Sequence, residues 1–175
     1  MKVKLIAVLG ELISHAALPL VRKLYPDLKI DVINDSGQGI GDPGGFEALI
    51  TYWNALTFFP SSCTDCIGSD GNLTGLHKYQ LTEDNNIRLA YITATQDATA
   101  AAGLSGGGSS LEAQLFEAAG ELNTAFPERF QSLIANGDEH TFIQRRFDFE
   151  IGSTTVRQWV TNMVTGNTQW VSDKD

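Results

Sequence analysis

The stretch 87–97, IRLAYITATQD, decides the fold. Ile87 to Thr93 is an almost unbroken apolar, β-branched run, the pattern of a strand buried on both faces. It runs out in polar residues and ends on Asp97. Three other stretches have the same form. Val3 to Leu9 is apolar and stops at Gly10. Lys29 to Asn34, KIDVIN, runs into a glycine-rich loop, DSGQGIGDPGG, at 35–45. Phe130 to Ala135 follows Pro127 and ends in the loop Gly137-Asp138-Glu139-His140.

Helical patterns lie between and after these runs. Ala16, Ala17, Leu20, Val21 and Leu24 form one stripe, closed by Tyr25-Pro26-Asp27. Phe46 to Phe59 repeats at Phe46, Leu49, Ile50, Trp53 and Leu56. Ser109 to Ala125 opens with Ser109 or Ser110 as N-cap and Glu112 in its first turn. Thr154 to Val164 carries Val156, Trp159, Val160 and Met163 on one face. A polar stretch runs from Ser61 to about Leu76, and Ser172 to Asp175 reads as a frayed tail. Strands separated by helices need crossover connections and make a parallel sheet. The sequence therefore predicts a single α/β domain over 1–175. Its sheet is mostly parallel, of about four strands, with flanking helices.

Composition narrows the function. The 175 residues suffice for one hydrophobic core, and 42% hydrophobic content with nine Phe, three Trp and four Tyr excludes a disordered chain. No apolar run reaches the length of a membrane span. The 21 carboxylates against 12 basic side chains leave a net charge of −9, which argues against a nucleic-acid partner and favours neutral or cationic small ligands. Glu11 and His15 interrupt the apolar N-terminal stretch, so a buried strand followed by a helix fits it better than a signal peptide. Cys63 and Cys66 lie in a loop, as a local disulfide or two plain thiols; an oxidised pair would point to a secreted or periplasmic origin. Asn72-Leu73-Thr74 matches a glycosylation acceptor.

In parallel sheets, ligands bind beyond the carboxyl ends of the strands. That rule selects Gly10–His15, Asp35–Gly45, Asp97 and His140. Ser14, Asp97 and His140 follow successive strands in the chain order of α/β-hydrolases. There the histidine takes the serine proton during attack on a carbonyl, and the carboxylate fixes the histidine tautomer. Each residue also has a plainer reading. Asp97 could cap a helix or be a surface acid, His140 could be a turn residue, and Ser14 could be a helix N-cap. Leu12 and Ala16 flank Ser14, so the G-x-S-x-G turn is broken on one side. His15 and Ser36 are candidate substrate-binding residues, His15 otherwise a surface helix residue. In the glycine-rich loop, Asp35 and Asp42 could bind Ca²⁺ with backbone carbonyls, though not in EF-hand spacing. Two acids and no Lys disfavour a phosphate loop, and an ordered loop rimming a pocket is the favoured reading. No cofactor is required by the hydrolase chemistry.

The run from Val32 through the CxxC, LAYITATQD, ANGDEHTFI, TTVRQWVTNMVTG and Trp170 resembles the bacterial branch of the pectin acetylesterases, Notum-like carboxylesterases of the α/β-hydrolase superfamily. VINDSGQG is similar to the strand and loop after that family's nucleophile helix, and WNALTFFPSSC to its Trp-to-Pro-Cys segment. The resemblance begins at about residue 25 and implies Asp97 and His140 as catalytic acid and base. It departs at the G-x-S-A-G-G elbow. Counting back from Pro19 and Leu20, the family's serine falls on Leu12 and its elbow glycines on Ser14 and His15. The resemblance implies the C-terminal half of a hydrolase sheet, a secreted or periplasmic origin, and an exposed strand edge where further strands belong. A homodimer or larger assembly would cover that edge. The expectation is an ester or lactone hydrolase using Asp97, His140 and either Ser14 or an activated water. The alternatives are a Ca²⁺-dependent hydrolase built on the acidic loop, and a non-catalytic binding or structural domain.

Overall fold

The computed structural model of the chain describes residues 5–8, 12–54, 57 and 59–175; for 5–8, 12–16, 46, 47 and 49 it describes the backbone alone. In chain order the elements are β1 (Leu5–Val8), α1 (Leu12–Leu24), β2 (Ile30–Asp35), α2 (Gly45–Tyr52), α3 (Thr74–Glu83), β3 (Ile87–Ala94), α4 (Ala98–Ala101), α5 (Gly107–Ala125), β4 (Phe130–Ala135), β5 (Glu150–Ile151), β6 (Thr154–Thr155), α6 (Val156–Thr165) and β7 (Asp173–Lys174). The main sheet has the order β1-β2-β3-β4-β7, and every pair in it is parallel. The register sets Asp35 beside Ile92 and Ala94 beside Ala135, so β2, β3 and β4 present their carboxyl ends along one edge.

Side chains alternate across a strand, and both faces of this sheet are covered. On one face Ile30, Val32, Leu89, Tyr91, Phe130 and Ile134 pack with Leu18 of α1, Leu81 of α3, and Leu115 and Leu122 of α5. On the other, Ile33, Ala90, Ile92, Leu133 and Ala135 pack with Phe142, Ile151, Val156, Trp159, Met163 and Trp170. Burial on two sides explains why β3 reads as continuous apolar sequence rather than as alternation.

Four expectations change. The helix expected from Ser109 begins at Gly107 with Gly106 as its N-cap, so Ser109 and Ser110 lie inside it and neither caps it. The helix expected to run from Phe46 to Phe59 stops at Tyr52. Tyr52 and Trp53 are exposed, and Asn54 takes φ 53°, a left-handed turn that ends a helix; Leu56 lies outside the described residues. The polar stretch after the cysteines holds an unforeseen helix, α3. Its buried side includes Thr74, His77 and Gln80, so it carries no apolar stripe. The Tyr91 hydroxyl hydrogen-bonds with Nδ1 of His77, and burial pushes that hydroxyl well above its ordinary 10. The tail expected to fray instead supplies the fifth strand, β7. Ser172 Oγ accepts from Ser132 N at 3.0 Å, the Asp173 carboxylate accepts from Ser153 N at 2.9 Å, and Asp175 accepts from Gly152 N at 2.7 Å.

Cys63 and Cys66 form a disulfide that packs with Ile50, Leu73 and Leu76. Asn72, the acceptor of the glycosylation motif, is only 5% exposed. Its Oδ1 accepts from Gly41 N at 2.9 Å and its amide donates to Asp70, so it clamps two loops rather than presenting itself to solvent. Among the described residues, no helix is long and apolar enough to cross a membrane.

Candidate active site

Asp97 lies three residues past the end of β3, where the chain turns into α4. Its Oδ1 accepts from Thr99 N at 2.9 Å and Ala100 N at 3.1 Å, capping that helix. The same carboxylate contacts Nδ1 of His140, at 3.1 Å from Oδ1 and 2.9 Å from Oδ2. The cap and the histidine partner are therefore one residue doing both. Asp97 is fully buried, while the His140 side chain is 37% exposed. The two loops are stitched directly: Thr95 N donates to Ala135 O at 2.9 Å, and Gln96 N to Gly137 O at 2.7 Å. Gly137 has φ 142°, a conformation open to glycine and strained for other residues.

Beyond His140 the chain meets the end of β2. Thr141 N donates to Ser36 Oγ at 3.0 Å. Phe142 N donates to Asp35 Oδ1 at 2.9 Å and Oδ2 at 3.0 Å, and Ile143 N to Oδ2 at 2.9 Å. The Phe142 ring is fully buried and meets Phe149 edge to face. Asp35 is 2% exposed. Burial raises its carboxyl above the ordinary 3.8, against the lowering effect of the Phe142 and Ile143 N–H groups and of His140; Asp97 adds to the rise.

The glycine-rich loop is ordered and buried from Asp35 to Gly41. Asn34 Oδ1 accepts from Gly37 N at 2.8 Å, Gln38 Nε2 donates to Ile92 O at 3.1 Å, and Gly39 O accepts from Leu73 N at 2.8 Å. Gly39 has φ 72°, and a Cβ there would come within 2.7 Å of the Leu73 Cβ. Ser36 to Ile40, with Ala100 and Leu111, line a cavity of about 40 Å³. Asp42 accepts from Ser105 N at 2.6 Å, which holds its carboxyl below the ordinary 3.8. The two acids weighed as calcium ligands are thus each engaged by backbone N–H groups. Among the described residues no cluster of three or more His, Cys, Asp or Glu could hold a metal ion.

The structure thus joins Asp97 to His140, and Ser36 to the residue after His140. Ser36 is fully buried. For Ser14 and His15 only the backbone is described, within α1, and Gly10 and Glu11 lie outside the described residues. The helix starts at Leu12, so Ser14 is a helical residue rather than its N-cap. Asp35 is the site residue whose role sequence reasoning missed. A carboxylate closing a buried strand directly before the glycine-rich loop was the available signal.

No known protein family, curated protein or solved structure matches the chain.

Proposed function

We propose that the chain is an ester hydrolase, of carboxylesterase or lactonase type, with Asp97 and His140 as its acid–base pair. The observation that carries this is the contact of His140 Nδ1 with both oxygens of a fully buried carboxylate, at 3.1 and 2.9 Å. An Nδ1–H donated to Asp97 leaves the Nε2 lone pair as the base, on a ring that reaches solvent. Nε2 takes a proton from the nucleophile as its oxygen bonds to the acyl carbon, and Asp97 stabilises the imidazolium. When the tetrahedral species collapses, the ester C–O bond breaks and the same proton passes to the leaving alkoxide.

Water is the favoured nucleophile. Leu12 takes the first helical position after β1, where the resembling elbow has its serine, and Ser14 lies two residues on, about 200° around the helix axis. Acid and base after consecutive parallel strands support a place beside the pectin acetylesterase-like carboxylesterases. The disulfide supports an oxidising compartment. Among the described residues β1 ends the sheet, and Leu20, Leu24 and Tyr25 of the neighbouring segment are exposed, which supports a second copy docked along that side.

The test is turnover of an activated-ester and lactone panel by the purified chain. His140→Ala and Asp97→Ala should each abolish it with the fold intact by circular dichroism. Unchanged rates in both variants would overturn the reading. A folded chain inert on the whole panel would favour the non-catalytic domain, to which Leu12 points. Light scattering should give at least a dimer, and a strict monomer at high concentration would remove the docked copy.

A further inference from the structure

Asp35 and Ser36 close β2 and make four hydrogen-bond contacts to the three residues after His140, more than a surface turn needs. We infer that they are positioning residues for His140, setting the ring so that Nδ1 meets Asp97 and Nε2 stays free. This rests on the reading of His140 as the base.

The chain reaches His140 from Gly137 and leaves it through Thr141, so the ring's direction follows from where those two points are held. Gly137 O is held by Gln96 N, on the Asp97 side. Thr141 N is held by Ser36 Oγ at 3.0 Å, and Phe142 N and Ile143 N by Asp35 at 2.9 Å each. Ser36 and Thr141 are both non-glycine residues with positive φ, 65° and 63°. Such backbone persists only where surroundings over-determine it, and it gathers at functional sites. Here the two strained residues are bonded to each other.

The choice of acceptor adds a second argument. A neutral side chain could accept these N–H groups with no charge to desolvate. Asp35 is instead a buried carboxylate whose charge acts on His140. Hydrogen bonds to an ionised acceptor are the stronger kind, so a carboxylate holds Phe142 N and Ile143 N, and with them the segment after His140, more firmly than a neutral group would.

The test uses Ser36→Gly and Asp35→Asn in the full chain. Ser36→Gly removes the hydroxyl at a φ that glycine accepts freely, so any loss is not added strain. Asp35→Asn keeps the shape but turns one acceptor into a donor against an N–H. Long-range ¹H–¹⁵N spectra of the His140 ring should show Nδ1 protonated and Nε2 bare in the parent. In both variants the two ¹⁵N signals should move toward a tautomer mixture. With an ester substrate, kcat should fall about 100-fold while KM stays within about threefold. Parent-like ring signals in both folded variants would overturn the inference, whatever the rates do. If Asp35→Asn does not fold, Ser36→Gly alone decides it. Should the parent hydrolyse nothing while the ring signals still move, the positioning stands and the esterase reading falls.

Discussion

Asparagine at position 97 separates the two jobs that Asp97 performs. The parent carboxylate takes Thr99 N and Ala100 N on Oδ1, at 2.9 and 3.1 Å, and faces His140 with Oδ2 at 2.9 Å. Asparagine has the same shape but one acceptor and one donor group. Two N–H donors converge at the Oδ1 place, so the amide oxygen must sit there and the NH₂ must face His140. The ring then has to accept at Nδ1 and carry its proton on Nε2, the nitrogen that should be bare. In Ser-His-Asp hydrolases that wrong tautomer costs about 10⁴ in turnover, or about 5.5 kcal/mol of barrier. Stability should change by only about 1–2 kcal/mol, because the helix cap survives and a charged hydrogen bond becomes a neutral one. Initial rates on p-nitrophenyl acetate, read beside urea melts of the same preparations, give both numbers. A folded Asp97→Asn chain within tenfold of the parent rate would refute the tautomer argument and the acid–base pair with it.

Three further perturbations test the frame around the site. Gly39→Ala should lose about 1–3 kcal/mol in urea melts, because φ is 72° and the new Cβ would press on Leu73 at 2.7 Å; an unchanged midpoint would contradict that. Replacing Cys63 and Cys66 together by alanine opens a short covalent loop and should cost about 2 kcal/mol, read as a lower melting temperature than that of the oxidised parent. Asp35 should give a pH signature of definite sign. Its folded carboxyl titrates above the ordinary 3.8, so the folded chain binds more protons across that window and the contribution of Asp35 to stability falls as pH rises through it. The stability of the parent relative to Asp35→Asn should therefore be greatest below pH 3.8 and decline above it; a difference that grows with pH would reverse the reading.

The parts of the fold that were legible in the sequence are those whose signal is local. β3 and β4 announce themselves because burial on both faces demands apolar residues throughout. Asp97 and His140 stand out because each follows such a strand by a few residues. α3 was hidden because its buried side holds Thr74, His77 and Gln80, so polar residues do not mark its solvent face. β7 was hidden because hydroxyls and carboxylates anchor its ends, with no hydrophobic pattern to betray it. Trp53 and Leu56 misled in the opposite direction, extending an apolar repeat past Tyr52, where the helix ends, and past the turn at Asn54. The role of Asp35 depends on residues 107 and 108 positions later, a separation no short-range spacing encodes. The two acids of the glycine-rich loop give no sign in the sequence of the backbone N–H groups that meet them.

The β3–β4 ladder does not stop where the strands do. Thr95 N to Ala135 O and Gln96 N to Gly137 O carry it into the two loops, so the segments leading to Asp97 and His140 leave the sheet from one hydrogen-bonded ribbon. The Asp97–His140 contact therefore draws on the backbone of both loops as well as on its own two side chains.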